Sequence, residues 1–351
     1  MGLAQWCKNL LAPALPGGLL LSARDDAEGR HYAVGYRQDG HQVFSTAVPQ
    51  RCHAVIEHPR LPLALFVARR PGTECYLLDL RDGRLVQTLA AAPDRHFYGH
   101  AVIHASGDWL YTTENDTRDP GRGVVGVYRF EGQRLAPAGE LSSHGIGPHE
   151  LAWMPDGETL VVANGGIRTE AESRVDMNLE AMAPSLVLMG RDGTLHSHET
   201  LAQPMNSIRH LAIASDGTVL ACQQFMGAAD DSAPLLAIKR PGQAFEPFPL
   251  AEAQLRCMAH YSASVAVHDT LRLVALTAPR ANRCFIWDLD SGAPRLDMHL
   301  ADCAGVAAVP QGFVVTSGQG RCRLVDCRPA TPVATPLRLP AGFWDNHLRR
   351  P

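Results

Sequence analysis

The sequence lacks the motifs by which the common catalytic folds are recognised. It contains no GxSxG nucleophile elbow, no HExxH zinc motif, no Walker loop and no GxGxxG after a strand. Its nine cysteines include no CxxC pair, and their spacing does not fix the cellular compartment. No stretch has a sustained 3.6-residue apolar period, so long amphipathic helices are not expected. These absences leave a protein made mainly of strands.

A strong charge of one sign and a long hydrophobic run are missing too. The net charge is −4 with histidine neutral and the basic residues are dispersed, which argues against a nucleic-acid partner. The longest apolar stretch, residues 9–21 (NLLAPALPGGLLL), is short and broken by proline, so we expect no membrane span. No twin arginine precedes it. We interpret residues 1–17 as a leader remnant or a disordered N-terminus, followed by one domain over residues 18–351.

What the sequence does contain is a repeat of short strands. Apolar, β-branched runs such as CYLLDL, LVVAN, RLVALT and FVVTS alternate with turn dipeptides, several of them Asp-Gly. Four segments share a start of one residue and a histidine, then an apolar strand and a turn: CHAVIEHP, GHAVIHASGD, PHELAWMPDG and RHLAIASDG. Two more, ASVAVHD and AGVAAVPQG, fit without the histidine. Each is followed by three further strands, a period typical of propeller blades.

The two ends of the chain supply one more blade. Residues 18–48 hold three strands without an inner one, and the chain finishes with FWDNHL. If that C-terminal strand takes the inner position beside the N-terminal three, the ring closes and no sheet edge is left exposed. The sequence therefore predicts an all-β, seven-bladed propeller with about four strands per blade.

Histidines occupy one aligned position in five of these blades. Inner strands all run the same way along the central channel, so their first residues meet at one mouth. The predicted histidine ring is His53, His100, His149, His210 and His347, with Ser264 and Gly305 in the two other places. Polar residues of inner strands and of loops after second strands are expected around the same mouth, as second-shell or ligand-binding groups: Glu114, Asn115, Asn164, Arg69, Arg209 and Arg280.

Converging imidazoles are suited to copper, zinc, iron or nickel. Glu114 is a candidate carboxylate ligand or a partner that fixes a histidine tautomer, and the arginines suit an anion held near a metal. Three other interpretations remain open. The histidines pack the channel through hydrogen bonds and the protein is a non-catalytic scaffold for protein interactions, or the mouth binds a purely organic or anionic ligand. In the third, the protein is a redox or lactonase-type propeller enzyme with His149 or His210 as base.

Several segments resemble one family, an uncharacterised family of bacterial periplasmic propellers known as domain of unknown function 1513. They are SHGIGPHELAWMPDGETLVVANGG, FYGHAVIHASGDWLYTTEND, SIRHLA, TAPRAN and WDNHL. The resemblance implies a seven-bladed propeller like the quinoprotein amine dehydrogenase β chain and export to the periplasm. It also implies a genetic neighbourhood with imelysin-type iron-regulated proteins and a dihaem oxidoreductase. With the histidine ring, it leads us to expect a monomeric, non-catalytic protein that binds or delivers copper or iron, with imelysin-like or haem-containing partners.

Overall fold

The computed structural model describes residues 19–170, 176–340 and 342–349. They form seven antiparallel sheets of four strands each. The inner strand of each sheet contacts the inner strands of the two neighbouring sheets, so the sheets are blades around a central channel. The predicted seven-bladed all-β propeller is confirmed. The N-terminal segment, residues 1–17, lies outside the described residues.

The strands follow the chain from blade to blade. Blade 1 contains β1 (Leu19–Asp25), β2 (His31–Arg37) and β3 (Gln42–Val48). Blade 2 contains β4 (Cys52–Glu57), β5 (Leu63–Ala68), β6 (Glu74–Asp79) and β7 (Leu85–Ala90). Blade 3 contains β8 (Arg95–Ile103), β9 (Trp109–Asp116), β10 (Gly123–Glu131) and β11 (Arg134–Ser142). Blade 4 contains β12 (Pro148–Trp153), β13 (Thr159–Asn164), β14 (Ser185–Gly190) and β15 (Leu195–Glu199).

The remaining blades repeat this order. Blade 5 contains β16 (Asn206–Ile213), β17 (Val219–Phe225), β18 (Leu236–Lys239) and β19 (Phe245–Pro247). Blade 6 contains β20 (Ser264–His268), β21 (Leu273–Ala278), β22 (Arg283–Asp288) and β23 (Pro294–His299). Blade 7 contains β24 (Cys303–Val309), β25 (Gly312–Ser317), β26 (Cys322–Asp326) and β27 (Val333–Pro336), and β28 (Phe343–Arg349) returns to blade 1. Among the described residues, the helical segments are α1 (Glu252–Arg256) and two 3-10 turns, Leu179–Ala181 and Pro279–Ala281. In the described ranges no helix has the length and apolar character needed to cross a membrane.

The last strand closes the ring as predicted. β28 takes the inner position of blade 1 and pairs antiparallel with β1, with Asp25 opposite Phe343 and Leu21 opposite Arg349. The Ser22 hydroxyl donates to the His347 carbonyl at 2.6 Å, an added link between the two ends of the chain. Each end of the chain thus completes the sheet that the other begins.

The hydrophobic core lies between the blades. Second strands such as β5 and β21 are buried along their whole length because both faces of a blade pack against neighbours. Each contact between adjacent blades holds its own apolar cluster. Between blades 5 and 6, for example, Phe285 and Trp287 stack with ring centroids 5.4 Å apart. The centre of the ring is therefore free to hold polar groups.

Candidate metal centre

Irregular pairing within the inner strands aims the histidines into the channel. The register between inner and second strand shifts in six blades, at β4, β8, β12, β16, β24 and β28. Only β20, which begins with Ser264, pairs without a shift among these described inner strands. A bulge turns a side chain away from its regular alternation. All five histidines lie within such a shift or at its edge, so this shared irregularity brings them to one place.

Four of the histidines converge closely. Ligand nitrogens of His53, His100, His210 and His347 all lie within 4.8 Å of one another. Ring centroids are 4.4 Å apart for His53 and His347, 4.6 Å for His210 and His347, and 4.7 Å for His100 and His347. We call these residues the four-histidine group. They come from blades 1, 2, 3 and 5, separated by up to almost the whole chain.

The environment keeps these imidazoles neutral. Burial lowers the pKa of all four rings, and neighbouring imidazoles lower it further for His100, His210 and His347. A neutral imidazole has a nitrogen lone pair available for a cation, whereas a protonated one has none. The group therefore presents metal-ligating nitrogens without first having to lose protons at neutral pH.

A carboxylate orients His53. Its Nδ1 lies 2.5 Å from Oδ1 of Asp345, which is almost fully buried. Burial opposes the charged form of Asp345, but His53, Arg69 and Arg51 overcome it and hold the pKa of this carboxyl well below its usual range. An ionised carboxylate only accepts hydrogen bonds, so Nδ1 of His53 carries the hydrogen and Nε2 keeps its lone pair. Carboxylates hold metal-ligating histidines in the same way.

A second carboxyl group supports His210. Glu150 of blade 4 places Oε2 3.1 Å from Nδ1 of His210, and the same oxygen accepts from the Leu211 amide at 3.0 Å. The other oxygen of Glu150 lies 3.7 Å from Nδ1 of His100. Burial raises the pKa of Glu150 to about 8. A cation in the four-histidine group would favour the ionised form of this carboxyl.

Two nitrogens of the group have no hydrogen-bond partner. Nε2 of His100 and Nε2 of His347 are buried and meet no donor or acceptor within the described part of the chain. Leaving a buried polar atom unsatisfied costs about 1–3 kcal/mol. Such atoms are expected where a ligand supplies the missing interaction, and rare where histidines only pack.

Histidines at the opposite end of the inner strands behave differently. His58 donates from Nε2 to the Gly107 carbonyl at 2.9 Å and accepts the Leu61 amide at Nδ1. His104 bonds the Gly157 carbonyl and the Ser106 hydroxyl, each at 2.9 Å. These side chains link neighbouring blades with both nitrogens used. The protein thus satisfies histidines fully where their role is structural, which separates them from the four-histidine group.

The nitrogens of the group fit a metal after a small contraction. Bonds of about 2.0–2.1 Å from zinc or a similar ion to four tetrahedral nitrogens place those nitrogens about 3.4 Å apart. From separations of up to 4.8 Å, the required inward movement is at most about 0.9 Å per nitrogen. Rotations of the side chains supply movements of this size without a change of fold.

His149 lies beside the group and is not part of it. Its ring centroid is 4.7 Å from that of His210 and 5.1 Å from that of His100. Its Nδ1 is buried without a partner among the described residues, and burial holds its pKa well below the usual value. His149 faces a cavity of about 270 Å³ at the mouth of the channel, together with His53 and His210.

The histidines separate this mouth from a second cavity. The second one, of about 560 Å³, follows the channel toward its other end and is lined by His100, His210, His347 and mainly apolar side chains. His210 borders both cavities. The four-histidine group therefore forms a partition across the channel, reachable from either side.

The other predicted site residues divide into two sets. Arg69, Arg209 and Arg280 line the cavity at the mouth. Glu114 instead accepts hydrogen bonds from Thr112 and Tyr128 inside blade 3. The two asparagines are held locally as well: Asn115 donates to the Thr169 carbonyl, and Asn164 donates to Ser143 and Ser185. Strand alternation turns these three residues into the blades.

Sequence reasoning missed the groups that orient the histidines. Asp345 stands two residues before His347, and this spacing puts both side chains on one face of a strand. That signal was available, but the partner of Asp345 is His53 of another blade. Glu150 follows His149 directly in β12, and its side chain reaches His210 of the neighbouring blade. Tyr98 and Tyr261, which line the mouth, had no sequence signal.

Comparisons with known proteins agree with the fold. Kuenenia stuttgartiensis Hydrazine Synthase is similar with a TM-score of 0.62 and 12% identity, over 93% of this chain and 97% of that chain. At this identity the likeness shows the propeller fold alone. No curated protein matches the chain. A family model described as "Protein of unknown function (DUF1513)" matches residues 46–351, a region that includes His149 and the four-histidine group. On the strength of that match over most of its length, the chain belongs to the DUF1513 family.

Proposed function

We propose that the protein binds one transition-metal ion, copper or iron, at the four-histidine group and holds or delivers it. The observation that carries the proposal is the group itself: four buried ligand nitrogens within 4.8 Å of one another. Two of these rings are bound to carboxyl groups, and the other two leave Nε2 without a hydrogen bond among the described residues. A metal ion would satisfy the free nitrogens together.

A donor set made of imidazole nitrogens favours transition-metal ions. All four ligands are imidazoles, which suit copper, iron, nickel and zinc and disfavour magnesium or calcium. For a given nitrogen site the affinity for divalent ions rises toward copper, so Cu²⁺ should bind more tightly than Fe²⁺ when both are offered. The neighbouring carboxyls of Asp345 and Glu150 supply compensating negative charge near the bound cation.

Metal analysis of the purified protein tests the proposal directly. The protein is stripped with phenanthroline, dialysed and titrated calorimetrically with Cu²⁺, Fe²⁺ and Zn²⁺, and the metal content is measured by mass spectrometry. We expect one ion per chain in the wild type and loss of binding in His100→Gln combined with His347→Gln. No stoichiometric binding of any of the three ions would refute the proposal.

His104→Gln is the matched control. His104 follows the same inner strand as His100 but has hydrogen bonds at both nitrogens. It should lower stability and leave the bound metal unchanged. If the double variant loses stability while its metal content equals that of the wild type, the histidines of the group serve as structural links and the protein acts as an interaction scaffold.

The resemblance to envelope propellers supports a setting for this function. The proposal places the protein in the periplasm, where imelysin-like or haem-containing proteins would receive or supply the metal. Fractionation of cells that express the native gene tests the compartment, and capture with purified imelysin-type protein, with and without loaded metal, tests the partner. Recovery only in the cytoplasmic fraction would contradict this part of the proposal.

A further inference from the structure

Arginines dominate the cavity at the mouth of the channel. Its volume is about 270 Å³, and four of its lining residues are Arg69, Arg70, Arg209 and Arg280. Arg69 and Arg70 follow β5 in blade 2, Arg209 lies in β16 of blade 5, and Arg280 follows β21 in blade 6. The guanidinium groups therefore approach from three blades. Among the described residues, the lining contains no aspartate or glutamate. The part of the wall that these three blades form is therefore rich in positive charge.

The contacts of Arg69 and Arg280 differ. Arg69 pairs with Asp345 at 3.0 Å, and the same carboxylate also serves Arg51 and His53. Arg280 lies over the ring of Tyr261, 5.0 Å from its centroid, and forms no ion pair within the described ranges. Arg280 therefore brings a positive charge to the wall without forming an ion pair in these ranges.

Arg209 is the clearest sign of a missing anion. It is 7% exposed, and its Nε has no hydrogen-bond partner in the part of the chain that the structure describes. Burial, then repulsion from Arg70, lowers its pKa to about 10, so the guanidinium still carries its charge at neutral pH. Asp176 attracts this guanidinium without forming an ion pair with it, and a buried charge that lacks a paired counterion among the described residues is strongly unfavourable. An anion in the cavity would remove that cost.

Neutral donors point to the same place. Tyr98 is 4% exposed, and its hydroxyl lies beside Thr169 at the wall of the cavity. Gln224 and Asn346 add amide groups to the lining. Asn346 is held by donating to the Tyr261 hydroxyl at 2.9 Å. The cavity thus offers hydrogen-bond donors on several sides, which is the requirement for a ligand rich in oxygen acceptors.

We propose that this cavity is a binding site for a small polycarboxylate. Guanidinium groups bind carboxylates through paired hydrogen bonds, and groups on several sides demand more than one carboxylate. A volume of about 270 Å³ equals about nine water molecules in the liquid, more than a single small oxyanion fills. A compact di- or tricarboxylate matches the size, the charge and the donor pattern.

The position of the cavity links the anion to the histidines. His53, His149 and His210 form part of its wall. A carboxylate held by Arg209 would reach the four-histidine group from the mouth side and add oxygen ligands to an ion bound there. This second step rests on the proposed function, because it requires a metal in the group. The anion site itself rests only on the arginines and their unmet hydrogen bonds.

Calorimetric titration of the metal-free protein with citrate tests the anion site. We expect saturable 1:1 binding that weakens as salt is added. Succinate should bind more weakly and inorganic phosphate more weakly still. Phosphate binding as tight as citrate would overturn the assignment to polycarboxylates, and no binding of any of the three anions would overturn the site.

Two variants and a matched control locate the site. Arg209→Gln and Arg280→Gln should each reduce citrate affinity by about 10- to 100-fold, the effect of losing a charged hydrogen bond. Arg129→Gln is the control: Arg129 lies over the Trp109 ring, 5.7 Å from its centroid, as Arg280 lies over Tyr261, but away from the cavity. The citrate affinity of Arg129→Gln should stay within about twofold of that of the wild type. Equal affinity in all three variants would overturn the proposal.

The outcome separates this inference from the proposed function. Citrate binding to a protein that takes up no metal would refute the metal proposal and leave the anion site standing. Metal uptake without citrate binding would refute the anion site and leave the metal proposal standing. If both bind, copper affinity should rise at least tenfold when tricarballylate is present at saturation and should not rise in Arg209→Gln. Unchanged copper affinity would show that the two sites are independent and would refute the link between them.

Discussion

The buried carboxylate of Asp345 should stabilise the closed ring of blades. It lies on β28, the C-terminal strand, and its carboxylate bonds three groups of blade 2: Arg51, Arg69 and His53. Asp345→Asn keeps the shape of the side chain and removes its charge. The three partners would then face a neutral amide that satisfies at most part of their hydrogen bonds.

The expected loss of stability follows from burial. Removing one partner of a fully buried ion pair costs about 3–5 kcal/mol. Here the side chains of Arg51 and Arg69 are 37% and 23% exposed, so water recovers part of the lost interaction. We therefore expect the free energy of unfolding to fall by about 2–3 kcal/mol, between the values for buried and surface pairs.

Urea denaturation of metal-free protein, followed by tryptophan fluorescence, measures this loss; Trp344 is buried directly beside Asp345. Asp297→Asn is the control, since it removes the same charge from a surface pair with Arg283 whose side chains are 48% and 36% exposed. That pair should contribute less than about 1 kcal/mol. If the two variants lose equal stability, the charge of Asp345 does not stabilise the closed ring, and closure depends on strand pairing alone.

Three further predictions concern other parts of the channel. His104→Ala should lower the free energy of unfolding by about 2 kcal/mol, because two hydrogen bonds to neighbouring groups disappear; thermal denaturation measures it. Burial raises the pKa of Glu57 to about 7, so its carboxylate destabilises the fold increasingly as pH rises from about 4.5 to 7. Glu57→Gln should match the wild type at pH 4 and exceed it by up to about 3 kcal/mol at pH 8, and an equal gain at both pH values would contradict this cause. Gly305→Ala should cost about 1–3 kcal/mol and weaken copper binding, because the new Cβ would meet the backbone of β28 beside His347 at about 3 Å; calorimetry detects both effects.

The fold could be read from the sequence because each blade carries its own local signals. Apolar runs of strand length and turn dipeptides recur with one spacing, and the unpaired ends of the chain require a shared blade. The histidine positions followed from the same alignment: a residue at one repeat position must lie at one level of the channel. His53 and His347 are 294 positions apart in number and have ring centroids 4.4 Å apart.

The finer arrangement depends on interactions that no repeat encodes. The register shifts at the inner strands decide which side chains face the channel, and they leave no mark in residue type. Glu114 stands beside turn residues in the sequence, yet it bonds Tyr128 within its own blade. The reach of Asp345 to His53 crosses a blade boundary and depends on ring closure. Alignment of the repeats therefore predicts how far along the channel a residue lies. Which residues it contacts can be seen only in the folded structure.

The two ends of the inner strands together argue that the mouth is built for a ligand. At the far end, His58 and His104 have hydrogen bonds at both nitrogens, and Nε2 of each reaches a carbonyl of the neighbouring blade. At the mouth, the same residue type in the same strands leaves buried nitrogens without a partner among the described residues, and Arg209 adds a buried guanidinium whose Nε also lacks a partner there. Packing alone would favour apolar residues or complete hydrogen bonding in both places. The apolar interfaces between blades offset the free-energy cost of these unsatisfied polar groups at the centre. A cation and an anion bound side by side would remove that cost.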